Sequence, residues 1–181
     1  LTEIPKSLLI VGGGVIGVEF AYLYSALGTK VTVVELLPQI LSMIDSDVVQ
    51  VLKDQLVCQG VTFLNQAELK KLEPKSEGMK AHITHEGAEK SIEADYVLIA
   101  VGRRPRTEEM NLAEAGVQLE RGAIQVNEYF QSSLPTVYGI GDCNGKMMLA
   151  HAASAQGVAA AEHALGHPPC YQPQTISSCV Y

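Results

Sequence analysis

The chain has 181 residues, 47% of them hydrophobic, enough apolar surface to bury one large domain or two small ones. A net charge of −7 with no run of Lys or Arg excludes binding driven by nucleic-acid phosphates, which depends on clustered cations. No apolar stretch reaches the length of about 18 residues that a spanning helix needs, and residues 1–10 lack the charged start and cleavage site of a signal peptide, so a soluble, reducing compartment with no membrane partner is expected.

Residues 7–11 are a short apolar run ahead of three glycines, the pattern of a buried parallel strand entering a tight turn. A helix is predicted over 15–27, where Ile16, Phe20, Leu23, Tyr24 and Leu27 recur at helical spacing and Gly28 stands at the C-terminal cap position. Residues 31–34 predict a second buried strand, and the resulting βαβ unit forces its two strands to run parallel. A polar loop over 37–45 leads to a second helix with Val48, Val49, Leu52, Leu56 and Val57 on one side, closed by Gly60. Residues 61–64 are the next predicted strand. Between Glu68 and Asp95, runs broken by Pro74, Gly78 and Gly87 predict an antiparallel meander, and 96–101 an apolar strand. After Gly102-Arg103-Arg104-Pro105 the composition shifts to short strands and turns, 124–126 and 137–140 being the clearest strands, so a domain boundary is expected near 104–112. The alanine-rich stretch 151–165 predicts a helix, ended by Gly166 and Pro168-Pro169.

Cys58, Cys143, Cys170 and Cys179 have neither zinc-ribbon nor vicinal redox spacing and are expected to be buried free thiols. His82 and His85, with no Cys/His cluster nearby, are expected as exposed strand positions rather than metal ligands, so no metal is expected. The chain opens at Leu1 rather than Met and stops in an apolar run at Val180-Tyr181, so both ends are expected to interrupt a longer protein.

Gly12-Gly13-Gly14-Val15-Ile16-Gly17 satisfies G-x-G-x-x-G between a predicted strand and a predicted helix, the context that gives this motif meaning. Gly12 serves the tight turn, Gly14 the close approach of a pyrophosphate to the backbone, and Gly17 the packing of helix on strand. The pyrophosphate is expected on the free N–H groups at the helix N-terminus. Glu35 ends the second strand 18 residues beyond Gly17, where a carboxylate accepts hydrogen bonds from the adenosine ribose. A 2′-phosphate there meets a like charge, and Leu36-Leu37 supplies no compensating arginine, so NAD is favoured over NADP.

Further motifs widen the reading. LIVGGGVIGVE (9–19), VVELLPQIL (33–41), IAVGRRP (99–105), YGIGD (138–142) and MLAH (148–151) follow in the order and spacing of the pyridine nucleotide-disulfide oxidoreductases, and the chain most resembles the dihydrolipoamide dehydrogenases among them. The resemblance implies a Rossmann-like FAD/NAD(P)-binding α/β fold, a parallel sheet with helices on one side and an antiparallel β-meander on the other. It implies an NAD-binding domain over residues 1–104, the C-terminal half of an FAD-binding domain over 105–166, and a linker over 167–181 into a dimerisation domain. Gly12, Gly13, Gly14, Val15, Ile16, Gly17, Val18, Glu19 and Glu35 are then NAD-binding, with Leu69 and Gly102 bordering the adenine and nicotinamide ends. Glu19 is similar to a helix glutamate that approaches the nicotinamide. Asp142 matches an aspartate on the ribityl chain of FAD, and Met148, Leu149, Ala150 and His151 match the loop and helix start beside the flavin.

In the intact enzyme the resemblance implies oxidation of dihydrolipoamide through a disulfide and FAD to NAD, a homodimer, and a 2-oxo acid dehydrogenase complex in a bacterial cytoplasm or mitochondrial matrix. The first FAD fingerprint, the C-x-x-x-x-C pair and the C-terminal His-Pro-x-x-x-Glu are absent from this sequence, so it holds no catalytic residue and is expected to be inactive alone. His167-Pro168 has Gln172 where that glutamate belongs and reads as a connector; Arg106 replaces the family's usual asparagine. Two alternatives stay open: a non-catalytic NAD-sensing module that needs no flavin, and a sister enzyme such as a mercuric, glutathione or trypanothione reductase, which a preference for NADPH would favour. Residues 124–126 and 137–140 are expected to join strands supplied by a missing N-terminal portion, and alone to leave unpaired edges.

Overall fold

The structure is a computed structural model and describes residues 2–180. Residues up to Gly102, joined by Val180, form one compact unit, and Arg103–Cys179 form a second.

In the first unit β1 (Ser7–Val11), β2 (Lys30–Val34), β3 (Thr62–Leu64) and β7 (Tyr96–Ile99) build a parallel sheet in the order β3-β2-β1-β7. Side chains alternate across it, as the two-residue period of a strand requires. Leu8, Ile10, Val31 and Val33 face α1 (Val15–Ala26) and α2 (Ser46–Cys58) in one apolar cluster. Leu9, Val11 and Val34 face the antiparallel meander β4 (Ala67–Pro74), β5 (Met79–His85) and β6 (Ala88–Ala94), where Ala67, Ala81, Ile83 and Ala94 complete a second cluster. A helical layer, a parallel sheet and a meander layer therefore stack as expected. Leu9 and Ile10 are fully buried, each contributing roughly 2 kcal/mol of hydrophobic stabilisation.

Helix α1 departs from its apolar pattern. Its buried residues are Gly17, Val18 and Ala21, whereas Ile16, Phe20, Leu23 and Leu27 are exposed. Gly17 lies so close to the Gly12 carbonyl and Ile10 that no side chain fits there, Val18 and Ala21 join the core, and of the expected apolar face Tyr24 packs against it. Likewise Val48 and Val57 of α2 face outward, leaving Val49 and Leu56 as its buried anchors. The loop expected to be polar carries Ile40 and Leu41, both buried in the helix-side cluster. A staple fixes β1 to β7: the Asp95 carboxylate accepts the N–H groups of Lys6 and Ser7 at 2.8 and 2.9 Å, and Ser7 Oγ accepts the Asp95 N–H at 3.0 Å. These hydrogen bonds, that of Ser7 above all, hold the carboxyl below its ordinary value.

The second unit contains the hairpin β8 (Leu119–Glu120) and β9 (Ala123–Ile124), helix α3 (Ala150–Ala164) and a 3-10 turn at Gly141–Asn144. Phe130, Ala159 and Ala160 form its small core, with Tyr171 edge-on to Phe130 at 4.8 Å between centroids. The strand expected at 137–140 is instead one arm of a local turn: Tyr138 makes a single bridge to Gln131, and Gly139 donates to the Phe130 carbonyl at 2.9 Å. The strand expected at 124–126 is reduced to Ala123–Ile124, because among the described residues its ladder partner is the two-residue Leu119–Glu120. The cysteines are free but not buried: Cys58, Cys170 and Cys179 are exposed, because they lie at the end of α2 and in the extended tail. Cys143 is half-buried, and that burial pushes its thiol pKa up.

Candidate functional site

Of the four glycines after β1, three are required by close approaches within the fold and one is not. Gly12 has φ +106°, and a Cβ on it would run into the Ala100 carbonyl oxygen; a Cβ on Gly17 would run into the Gly12 carbonyl oxygen. At Gly13 a Cβ would come within 2.6 Å of Ile40 Cγ2. Gly14 alone of the four has nothing within 4 Å of such an atom, so the fold does not require its missing side chain. Gly14 is also the N-cap of α1 and, among the described residues, no N-cap side chain hydrogen-bonds the first-turn N–H groups.

Glu35 follows β2 directly. Its main chain is spliced to the neighbouring strand region, donating to the Leu64 carbonyl and accepting from Ala67 N–H, both at 2.9 Å. Its carboxylate turns back over the glycine turn: Oε2 accepts from Gly13 N–H and Oε1 from Leu37 N–H at 2.7 Å. A carboxylate oxygen takes two donors, so each keeps one acceptor direction for a further hydrogen bond.

These groups open on one cleft of about 560 Å³, within the range of small-molecule and cofactor sites. Gly12, Gly13, Gly14, Glu35, Leu69 and Gly102 all line it, although they come from four separate stretches of chain. Val15, Ile16, Gly17, Val18 and Glu19 continue away along α1 and are not among its lining residues, with Glu19 half-buried. The remaining walls include Leu36, Leu37, Gln39, Leu41 and Ile99, which sequence reasoning did not single out. In the sequence Leu36 and Leu37 carry only the information that no arginine follows Glu35. Nothing in the periodicity of the loop marks Gln39 or Leu41 as cleft residues.

In the second unit, the 3-10 turn presents Asp142 half-buried, with Arg103 Nη1 donating to its Oδ2 at 3.0 Å. The turn is clamped from α3. Gln156, fully buried, accepts Gly141 N–H and Asn144 Nδ2–H through the same Oε1, each at 2.8 Å. Met148 and Leu149 are half-buried just ahead of α3, and Ala150 and His151 begin the helix exposed, the His151 ring within 2.8 Å of the Ser177 carbonyl.

His82 and His85 have structural partners. His82 Nε2 lies 2.9 Å from Glu73 Oε2 on the meander, and Glu73 is pulled down to about 2 by its hydrogen bond from Lys71 and, next, by His82. His85 is more enclosed than a free strand position, with its Nδ1 facing Lys90 Nζ at 3.0 Å. Among the described residues no group of three His, Cys, Asp or Glu side chains is placed to hold a metal, and His167 is exposed. No helix among them is long and apolar enough to cross a membrane.

The sequence profile of the pyridine nucleotide-disulphide oxidoreductases matches residues 1–157. Similar curated proteins include the dihydrolipoyl dehydrogenase of Geobacillus stearothermophilus, 38% identical over 100% of this chain and 39% of its own length. That of Acholeplasma laidlawii is 42% identical over 90% of this chain and 47% of its own length, so the chain spans less than half of these relatives. Among solved structures, LpdA of Mycobacterium tuberculosis superposes with a TM-score of 0.90 at 31% identity, covering 100% of this chain and 39% of that one. The Cu(II) complex of the HOCl-induced flavoprotein disulfide reductase RclA of Escherichia coli gives a TM-score of 0.84 at 30% identity, covering 93% of this chain and 38% of that one.

Proposed function

The chain belongs to the pyridine nucleotide-disulphide oxidoreductase family, and from that premise we propose that it is the NAD-binding part, with the returning half of the FAD-binding domain, of a flavin-dependent disulfide oxidoreductase. Dihydrolipoamide and NAD are the substrates of the intact enzyme, and lipoamide and NADH its products. The observation that carries the reading is the Glu35 carboxylate standing over the glycine turn at the mouth of the cleft.

The residues fit a dinucleotide. Gly14 leaves space that no protein atom fills, the uncapped first turn of α1 offers N–H groups and a positive dipole end to a pyrophosphate, and the free lone pairs of Glu35 suit ribose hydroxyls. Leu69 and Gly102 border the ring ends, and Val15, Ile16, Gly17, Val18 and Glu19 act from the helix behind the turn. NAD bound there supplies the hydride acceptor of the overall reaction. In the second unit Asp142 is the acceptor for ribityl hydroxyls of FAD, next to Met148, Leu149, Ala150 and His151, and it orients those hydroxyls rather than moving a proton.

The chain contains no C-x-x-x-x-C pair, so alone it has no disulfide to reduce. In the intact enzyme a homodimer, association with a 2-oxo acid dehydrogenase complex, and a bacterial cytoplasm or mitochondrial matrix follow from the same reading. A second reading, a sister disulfide reductase, is favoured by the likeness to RclA. The test compares the longer protein with this chain. The longer protein should show flavin absorbance and reduce NAD with dihydrolipoamide, and the 181-residue chain should do neither. Lipoamide reduction by the chain alone, or a preference of the longer protein for NADP, would overturn the assignment.

A further inference from the structure

We propose that Ile40 and Leu41 form a clasp that sets the nucleotide preference of the cleft by immobilising the Glu35 carboxylate; the proposal rests on reading the cleft as a dinucleotide site. The clasp acts on Gly13, the fingerprint residue that lies between the two glycines with recognised duties.

Every side of Gly13 is engaged. Its N–H goes to Glu35 Oε2, its carbonyl accepts Leu41 N–H at 2.8 Å, and its Cα faces Ile40 so closely that a Cβ would meet Cγ2 at 2.6 Å. Leu41 reaches this position with φ +49°, in the left-handed region that L-residues with a branched side chain seldom adopt. It stays there because its side chain is buried and its own carbonyl accepts Ile44 N–H at 2.8 Å. The surrounding loop is tied down independently: Asn65 Nδ2 donates to the Pro38 carbonyl at 2.8 Å, Gln66 N–H to the Leu37 carbonyl at 3.1 Å, and Gln39 Nε2 to the Ile44 carbonyl at 3.1 Å.

Glu35 is therefore held at both oxygens by backbone that is itself held. Charge alone does not guarantee rejection of a 2′-phosphate, since a mobile glutamate can swing aside and let the phosphate in. A carboxylate fixed between Gly13 and Leu37 cannot withdraw, and the like-charge repulsion is met in full. For NAD the same fixation presents acceptors already in place, with no ordering cost on binding.

Two substitutions at Ile40 separate this role from simple core packing. I40L keeps the volume but removes the β-branch methyl that rests on Gly13; I40V keeps that methyl and loses the terminal one. Competition titrations of NAD and NADP against the full chain give the affinity ratio, which does not depend on the folded fraction. The expected result is a ratio unchanged in I40V and lowered about tenfold in I40L, the scale set by a displaced methyl group beside a polar contact. Equal losses for both nucleotides in I40L, or an I40V ratio that falls as far as that of I40L, would overturn the clasp. Failure of the wild-type chain to bind NAD would instead remove the site itself.

Discussion

The Glu35 carboxylate accepts the backbone N–H of Gly13, so the residue placed to meet a ribose is fastened to the turn placed to meet a pyrophosphate. The two halves of the fingerprint, 22 residues apart in sequence, are one hydrogen-bonded unit.

Glu35→Gln should loosen that unit. An amide cannot accept from Gly13 and Leu37 N–H groups with both of its atoms, so one backbone donor loses its partner and the charge disappears. NAD affinity should fall about tenfold or more, the worth of charge-assisted hydrogen bonds, while NADP affinity falls less or rises. Fluorescence titration with the reduced form of each nucleotide measures both.

The glycines make a sharper contrast. Gly14→Ala should change the unfolding free energy by no more than about 1 kcal/mol, a weakened N-cap, yet abolish measurable NAD binding, because its Cβ enters space that only the ligand fills. Gly17→Ala should cost about 3 kcal/mol or more, since the obstructing atom is a backbone oxygen that cannot turn away. Denaturant melts paired with NAD titration distinguish the two.

The legible parts of the molecule were those where the backbone dictates residue type. A strand that runs into Gly12, Gly13 and Gly14, and an acidic residue just past the next strand, leave few alternatives, and the layer order followed from the same unit. What sequence missed was decided by packing. Gly17 has the packing duty its place in the fingerprint implies, but Ile16, Phe20 and Leu23 of the expected apolar face are exposed, and Val18 and Ala21 take the buried positions beside Tyr24. Residues 37–45 read as polar although Ile40 and Leu41 are core residues, because a buried loop has no period to reveal it. Residues 137–140 have strand composition but spend their hydrogen bonds on a turn with 130–132.

Gln156 gives a prediction in the second unit. Gln156→Leu would leave Gly141 N–H and one Asn144 amide hydrogen buried without their acceptor, and should destabilise the unit by about 2 kcal/mol. Gln156→Glu retains an acceptor for both donors and should lose less hydrogen-exchange protection at Gly141 than the leucine variant. Equal protection in both variants would remove the clamp.

Asp95 predicts a pH dependence. Its carboxyl pKa is lower in the folded chain than its ordinary value of 3.8, chiefly through the Ser7 N–H. Its contribution is therefore complete above that ordinary value and is lost as pH falls through the folded-state value. Asp95→Ala should lower the thermal midpoint at pH 7, and the gap to wild type should close on acidification below about pH 4. A gap that persists undiminished at pH 2 would contradict the staple.

The central claim, that the cleft is an NAD site, is tested most directly by following the backbone amide resonances of the full chain as NAD is added. Saturable shifts concentrated at Gly12, Gly13, Gly14, Leu37 and Gly102, with far weaker saturation by NADP, are the predicted result. No shifts with NAD, or equal saturation by NADP at the same amides, would contradict it.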